Sequence, residues 1–238
     1  MQYLGGKSRI AKDISGIINQ YSEDRLFISL FCGTCSVESM VISKSKTLND
    51  SHLYLIELLK AVQNGYEIPE QITKEEYYRV KSNQDENKAL SGFVGFGCSF
   101  GAKWWGGYAQ NKARTNYAMQ SKNSLLRKMN NLKDANILCS DYRTVKIPDG
   151  SVVYCDPPYK NTTHYSNSVG FNHEEFWEYM RNISKNNIVF ISEISAPEDF
   201  TTVWEKPFKR VLDKNKDNIF VSIEKLYQKN IIKPPFYR

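Results

Sequence analysis

Residues 151–159 read Ser151-Val152-Val153-Tyr154-Cys155-Asp156-Pro157-Pro158-Tyr159. The apolar run predicts a buried strand, and an acid, two prolines and an aromatic follow it directly. Neither proline can donate a backbone hydrogen bond, and Pro157 restricts Asp156 to extended geometry. The peptide therefore leaves the sheet stiffly, with carbonyls that no following helix claims. Open α/β sheets bind ligands at the carboxyl ends of their strands. A carboxylate, a free carbonyl and a flat ring converging there suit a planar substrate with an exocyclic amine: two acceptors take the two N–H bonds, and the ring stacks on the base. An ordinary strand-to-loop exit is the alternative reading of the same residues.

Outward from this stretch the chain alternates strands and helices. Ile10, Ile14, Ile17 and Ile18 give residues 6–21 a helical face. Leu26 to Phe31 reads as a short strand running into Phe31-Cys32-Gly33-Thr34-Cys35-Ser36, with a helix expected from about Val37. Lys46 to Leu48 is a second strand with Asp50 at its end, followed by a helix from Ser51 to about Gln63. Further helices are expected over 73–80, 88–100, 117–132 and 172–183, with 101–116 irregular, and further strands over 135–139 and 187–192. Phe208–Val211 and Ile219–Ile223 flank the polar loop 213–218 as an antiparallel hairpin. The expected fold is α/β: a Rossmann-like, mostly parallel sheet with an antiparallel C-terminal hairpin.

Strand, glycine turn and helix open a nucleotide-binding unit, and an acid at the end of the second strand holds ribose. Gly33 supplies the turn and Asp50 follows near the expected offset of about 20 residues. With one glycine and no phosphate cradle, the pattern points to a nucleoside lacking pyrophosphate, and S-adenosylmethionine fits that description.

Charge is the second signal. The net charge is +6, and between Gly101 and Lys133 the chain carries Lys103, Lys112, Arg114, Lys122, Arg127, Lys128 and Lys133 without one Asp or Glu. Trp104, Trp105, Tyr108 and Tyr117 are interleaved with them. Cations neutralise phosphates and aromatics stack on bases, so this segment is read as a nucleic-acid surface; a solvated helix face with core tryptophans is the bland alternative. The five cysteines, Cys32, Cys35, Cys98, Cys139 and Cys155, read as buried free thiols. The Cys32/Cys35 pair has no second pair, and His52, His164 and His173 lack ligand spacing around it, so no metal is expected. No apolar stretch approaches the ~20 residues of a membrane span, and the N-terminus lacks a signal-peptide core; the expectation is a cytoplasmic protein.

Taken in order, Tyr3-Leu4-Gly5-Gly6-Lys7, Phe31-Cys32-Gly33, Asp50 and Asp156-Pro157-Pro158-Tyr159 resemble the Dam-like DNA adenine-N6 methyltransferases. The glycine-rich stretch 92–101 and Lys103-Trp104-Trp105-Gly106-Gly107-Tyr108 resemble phage-borne members of that family, which implies a host cytoplasm as the location. The resemblance runs from Tyr3 to Tyr227. It implies residues 1–65 and 134–238 as the catalytic domain, and 66–133 as an inserted helical and loop region that reads the target. It implies cofactor contacts from Tyr3, Gly5, Gly6, Lys7, Phe31, Gly33, Asp50, Asp141 and Asp156. Asp156, Pro157, Pro158 and Tyr159 would hold and stack the target adenine. Lys103, Lys112, Arg114, Lys122, Arg127 and Lys128 would contact duplex DNA, with base recognition open among Gln110, Asn111, Arg114 and the turn 161–163. The protein would act as a monomer or weak dimer and need no metal. Rivals are an RNA adenine or DNA cytosine-N4 enzyme and a DNA-binding homologue without turnover.

Departures are local. Family members often carry an acid and a proline before Phe31 and a second glycine after Gly33, where this chain has Ser29, Leu30 and Cys35. Ser29 removes a carboxylate near the cofactor, and Cys35 would narrow the turn. His52 replaces a common Asn after the ribose acid, with a surface role or a cofactor contact as its two readings.

Overall fold

The computed structural model describes Met1 and residues 5–159, 171–211 and 219–229. Among these residues seven strands form one sheet: β1 (Leu26–Ser29), β2 (Ser45–Asp50), β3 (Asn136–Cys139), β4 (Val152–Cys155), β5 (Ile188–Glu193), β6 (Phe200–Val211) and β7 (Ile219–Lys229). Their order is β3-β2-β1-β4-β5-β7-β6. β1 to β5 pair in parallel, while β7 runs antiparallel to β5 and to β6. This is the Rossmann-like sheet that the motif order predicts. The terminal hairpin is longer than its alternating pattern indicates, because β6 begins at Phe200 and β7 ends at Lys229. The loop 213–218 lies outside the described residues.

Among the described residues six α-helices cover the sheet and its edge: α1 (Ala11–Ser22), α2 (Leu53–Gln63), α3 (Lys74–Ser82), α4 (Lys88–Gly92), α5 (Tyr117–Met129) and α6 (His173–Ile183). Caps set their starts. Thr73 and Glu76 form a reciprocal capping box at α3 (3.1 and 2.8 Å), and Asn87, Asn116 and Asn172 accept from the first turns of α4, α5 and α6. The helix expected from Val37 is only a 3-10 turn, Glu38–Met40. Cys35 has positive φ (+56°) and Val41 is already extended, so only residues 36–40 lie between that turn and the extended chain, room for little more than a single turn. The stretch expected as one helix over 88–100 divides into α4 and a π-helical segment, Phe93–Gly97.

That division brings α4 against α2. A Cβ built at Gly92 would fall on the Tyr54 carbonyl oxygen and 2.8 Å from its carbon. Backbone cannot step aside as a side chain can. Gly92→Ala is therefore expected to cost about 1–3 kcal/mol from overpacking, outweighing the up to ~1 kcal/mol gained in helix propensity. Urea denaturation measures it, and an unchanged or raised midpoint would contradict the packing argument.

Residues 66–133 share a core with the sheet, since Tyr77, Phe93, Phe96, Leu125 and Leu132 join the cluster that holds Phe27, Leu48 and Leu59. Trp104 stacks on Tyr54 (centroids 5.3 Å) and packs against His52 and Phe96. Trp105 donates to Gln84 Oε1 at 2.9 Å and meets Tyr77 edge-on. Both indoles are thus committed to packing. Among the described residues no helix is long and apolar enough to cross a membrane.

Candidate active site

The carboxyl ends of β1 and β4 are neighbours at the point where strand order reverses, and a cavity of about 1270 Å³ opens beside them. One wall is the turn after β1. Leu30 N–H donates to Tyr154 O (3.1 Å) and Cys32 N–H to Asn49 O (2.8 Å), so the exit from β1 is tied to both flanking strands. Buried Asn49 adds bonds to Leu30 O (3.1 Å) and Ser140 O (3.0 Å), locking three strand ends together.

Gly33 turns with φ +48°, a region that favours glycine, and its N–H donates to Asp50 Oδ2 at 2.9 Å. Asp50 Oδ1 accepts from His52 N–H at 2.9 Å. Burial pushes the Asp50 carboxyl above its ordinary pKa, while these backbone donors oppose the shift. Each oxygen keeps a lone pair for a further donor. His52 is buried rather than at the surface. It caps α2 by accepting from Leu55 N–H (3.4 Å), and burial lowers its pKa to about 4. Cys35 is fully buried, and the cavity wall passes from Thr34 to Ser36 without it; its side chain therefore does not narrow the turn.

The carboxylate absent at Ser29 arrives from elsewhere. Ser29 Oγ donates to Glu38 Oε1 at 2.8 Å, and Glu38, 2% exposed, lines the cavity. Burial raises its carboxyl to a pKa of about 7, against smaller lowering contributions from its own backbone N–H and from Ser29. Nothing in the sequence pattern marks position 38, which reads there as one more polar residue in the expected helix.

The opposite wall is built on Asp156. Lys7, 7% exposed, reaches its Oδ1 at 2.8 Å, lies 3.9 Å from Glu224 Oε2, and donates to Gly5 O at 3.1 Å. The same ammonium sits 4.5 Å from the centre of the Tyr159 ring. Tyr159 OH donates to Glu224 Oε2 at 2.9 Å. Burial raises the Asp156 pKa; the charge and hydrogen bond of Lys7 pull it back, and Glu224 pushes it up. Glu224, on β7, is the other residue that the sequence pattern leaves unmarked.

The remaining expected residues divide. Gly5, Gly6, Phe31, Asp141, Pro157 and Pro158 line the same cavity. Phe31 packs against Tyr142 (5.2 Å) and Phe171 (5.9 Å). Asp141 is gripped by Arg143, whose side chain donates to both of its oxygens (2.8 and 2.6 Å) and holds its pKa below the usual carboxylate range. Tyr3, His164 and the turn 161–163 lie outside the described residues. Lys103 is exposed at the cavity margin, and Lys112, Arg114 and Arg127 are exposed. Lys122 instead pairs with Glu70 at 3.0 Å. Lys128 turns inward: its ammonium donates to Thr34 O (2.8 Å), Thr34 Oγ1 (3.1 Å) and Ser36 Oγ (2.9 Å), bracing the turn after β1. Cys32, Cys35, Cys98 and Cys155 are buried thiols and Cys139 is half-buried. Among the described residues no group of His, Cys, Asp and Glu is arranged to hold a metal.

The sheet order, with a cavity between an acid-supported glycine turn and a strand-terminal Asp-Pro-Pro-Tyr, defines a Rossmann-like methyltransferase. A family model narrows the class. The D12 class N6 adenine-specific DNA methyltransferase family matches residues 3–94 and 103–229, and the chain belongs to that family. No curated protein matches the chain. Among solved structures, the rRNA methyltransferase aviRa from Streptomyces viridochromogenes is 10% identical, with 93% of this chain and 84% of that one covered and a TM-score of 0.44. A conserved hypothetical protein from Streptococcus pyogenes is also 10% identical, with 92% and 94% covered and a TM-score of 0.39.

Proposed function

We propose that the protein transfers a methyl group from S-adenosylmethionine to the N6 amine of an adenine turned out of duplex DNA. One observation carries the reading: Asp156, Lys7 and Tyr159 pack together as one group in the same cavity as the Gly33–Asp50 turn. The donor set fits the cofactor. Gly33 leaves room for close backbone approach, Asp50 offers carboxylate lone pairs to ribose hydroxyls, and Phe31 and Asp141 flank the purine side. Gly5 and Gly6 bring the N-terminal backbone to the same space, and Tyr3 is assigned there by the family motif. When bound, S-adenosylmethionine supplies an electrophilic methyl on a sulfonium.

The exocyclic nitrogen of adenine is a poor nucleophile, because its lone pair is delocalised into the ring. Asp156 and the Pro157 carbonyl accept its two N–H bonds and favour a more pyramidal nitrogen, while Pro158 stiffens the peptide and Tyr159 stacks on the base. Rate then comes from positioning and from anionic surroundings that favour positive charge developing on nitrogen. Turning the base out costs a few kcal/mol, offset by these contacts. Lys103, Lys112, Arg114 and Arg127 hold flanking phosphates.

The test is transfer of labelled methyl from S-adenosylmethionine to unmethylated duplex DNA, with the digested nucleosides resolved. Label in N6-methyladenosine supports the reading; label confined to cytosine or to RNA overturns the target. A second measurement addresses the basic surface. Lys112→Glu with Arg114→Glu is expected to weaken DNA binding and to reduce the salt slope by about two, one for each phosphate left without its cation. An unchanged slope would place the DNA elsewhere.

A further inference from the structure

We propose that Glu38 is the carboxylate that receives the α-ammonium group of the cofactor's methionine tail, an assignment that rests on the S-adenosylmethionine reading above. Glu38 lines the cavity beside Gly33 and Asp50 and is almost wholly buried. Its carboxylate has a hydroxyl donor, Ser29 Oγ at 2.8 Å, but among the described residues no side-chain cation pairs with it. Two ammonium groups whose charge acts on Glu38 are spent otherwise. Lys46 Nζ donates to the main-chain oxygen of Glu38 (3.1 Å), and Lys128 Nζ to Thr34 and Ser36 (2.8–3.1 Å). A buried carboxylate without a cation is costly, and a ligand that brings an ammonium into the cavity relieves that cost.

The arrangement also accounts for Ser29. A serine at the end of β1 is neutral and here wholly buried, yet its hydroxyl donates to an acid nine residues on. The short 3-10 turn Glu38–Met40 delivers that acid to the cavity, where a regular helix would set a different register.

The charged and titratable groups that face Glu38 come from several elements: Asp156 after β4 raises its pKa, Lys128 on α5 lowers it, and Cys32, Lys46 and Tyr154 interact with its charge. With a pKa of about 7 in the free protein, Glu38 is protonated below neutrality, and an ammonium ligand must then displace a proton. Affinity for such a ligand is flat above pH 7 and falls up to about tenfold per pH unit below it.

The experiment is calorimetric titration of the whole protein with two ligands, S-adenosylhomocysteine and 5′-methylthioadenosine. They share the nucleoside and thioether, and only the first carries the ammonium. Glu38→Gln is expected to weaken S-adenosylhomocysteine binding at pH 8 by about tenfold or more and to change 5′-methylthioadenosine binding less than twofold. In the wild type, the preference for S-adenosylhomocysteine should shrink between pH 7 and pH 6. This measurement needs no variant to fold, and effects on the shared nucleoside cancel in the ratio. Equal weakening of both ligands, unchanged S-adenosylhomocysteine binding, or a pH-independent preference would overturn the role of Glu38. If the wild type binds neither ligand, the cofactor reading itself fails.

Discussion

Asp156→Ala is expected to lower kcat for methyl transfer by about a thousandfold or more, with the cofactor still bound and the fold intact. The size follows from what the side chain does. Removing one preorganised polar group from a transition state costs about 10²–10³ in rate, and in the proposed mechanism Asp156 would both orient the amine and stabilise charge on it. The fold should survive because β4 is held by parallel pairing to β1 and β5 rather than by the Asp156 side chain. Lys7 would lose its 2.8 Å partner but keep Glu224, 3.9 Å away, as a counter-charge. Three readouts separate the outcomes: single-turnover methyl transfer, calorimetric affinity for S-adenosylhomocysteine, and thermal unfolding. Loss of turnover with affinity within a few-fold and an unchanged melting temperature is the expected set. Near-normal turnover would sink the assignment of Asp156. A collapse of all three would show Asp156 to be a structural anchor for Lys7.

The parts of this site that can be read from sequence are those in which chemistry and chain order coincide. Asp156-Pro157-Pro158-Tyr159 follows its strand without a gap, and the prolines dictate its exit geometry whatever the tertiary context. Gly33 and Asp50 are legible for a similar reason: each ends a strand, and adjacent parallel strands bring their ends together. Glu38 and Glu224 are not legible. Glu38 depends on a turn too short to be a helix, whereas the apolar spacing after Ser36 suggests one. Glu224 reaches Tyr159 only because the terminal hairpin returns beside β5. The basic segment misleads in part for another reason. Charge counts say which side chains are cationic but not which way a helix face points, and Lys128 on α5 turns inward to the turn after β1. Trp104 and Trp105 are equally consistent with stacking on bases or on Tyr54 and Tyr77 until the π-helical segment is known. Ser29 reads as a lost carboxylate because the residue that supplies one is distant in register, not in space.

Lys7→Met is expected to move the acid limb of the pH–rate profile to higher pH, the direction that follows when an adjacent opposite charge is removed. In the folded protein, burial raises the Asp156 pKa and Lys7 pulls it back through charge and a direct hydrogen bond. Removing the ammonium leaves burial and Glu224, which both favour the protonated acid. Protonation removes the charge of Asp156 and turns one of its oxygens into a donor, so the active fraction falls at low pH and returns as pH rises. The variant should therefore lose more activity on the acid side of its pH profile than on the alkaline side, and recover as pH rises. The linked stability has a definite sign as well. A carboxyl whose folded pKa lies above its unfolded value disfavours folding once ionised; that penalty is absent below the unfolded pKa and develops as pH rises through the folded one. It should be larger in Lys7→Met, so the variant's deficit in thermal stability should grow with rising pH, even as its activity recovers. Opposite movements of activity and stability with pH would be difficult to obtain from a misfolded site. A loss of rate that is uniform across pH would instead assign Lys7 to holding ligand in place, with no part in keeping Asp156 ionised.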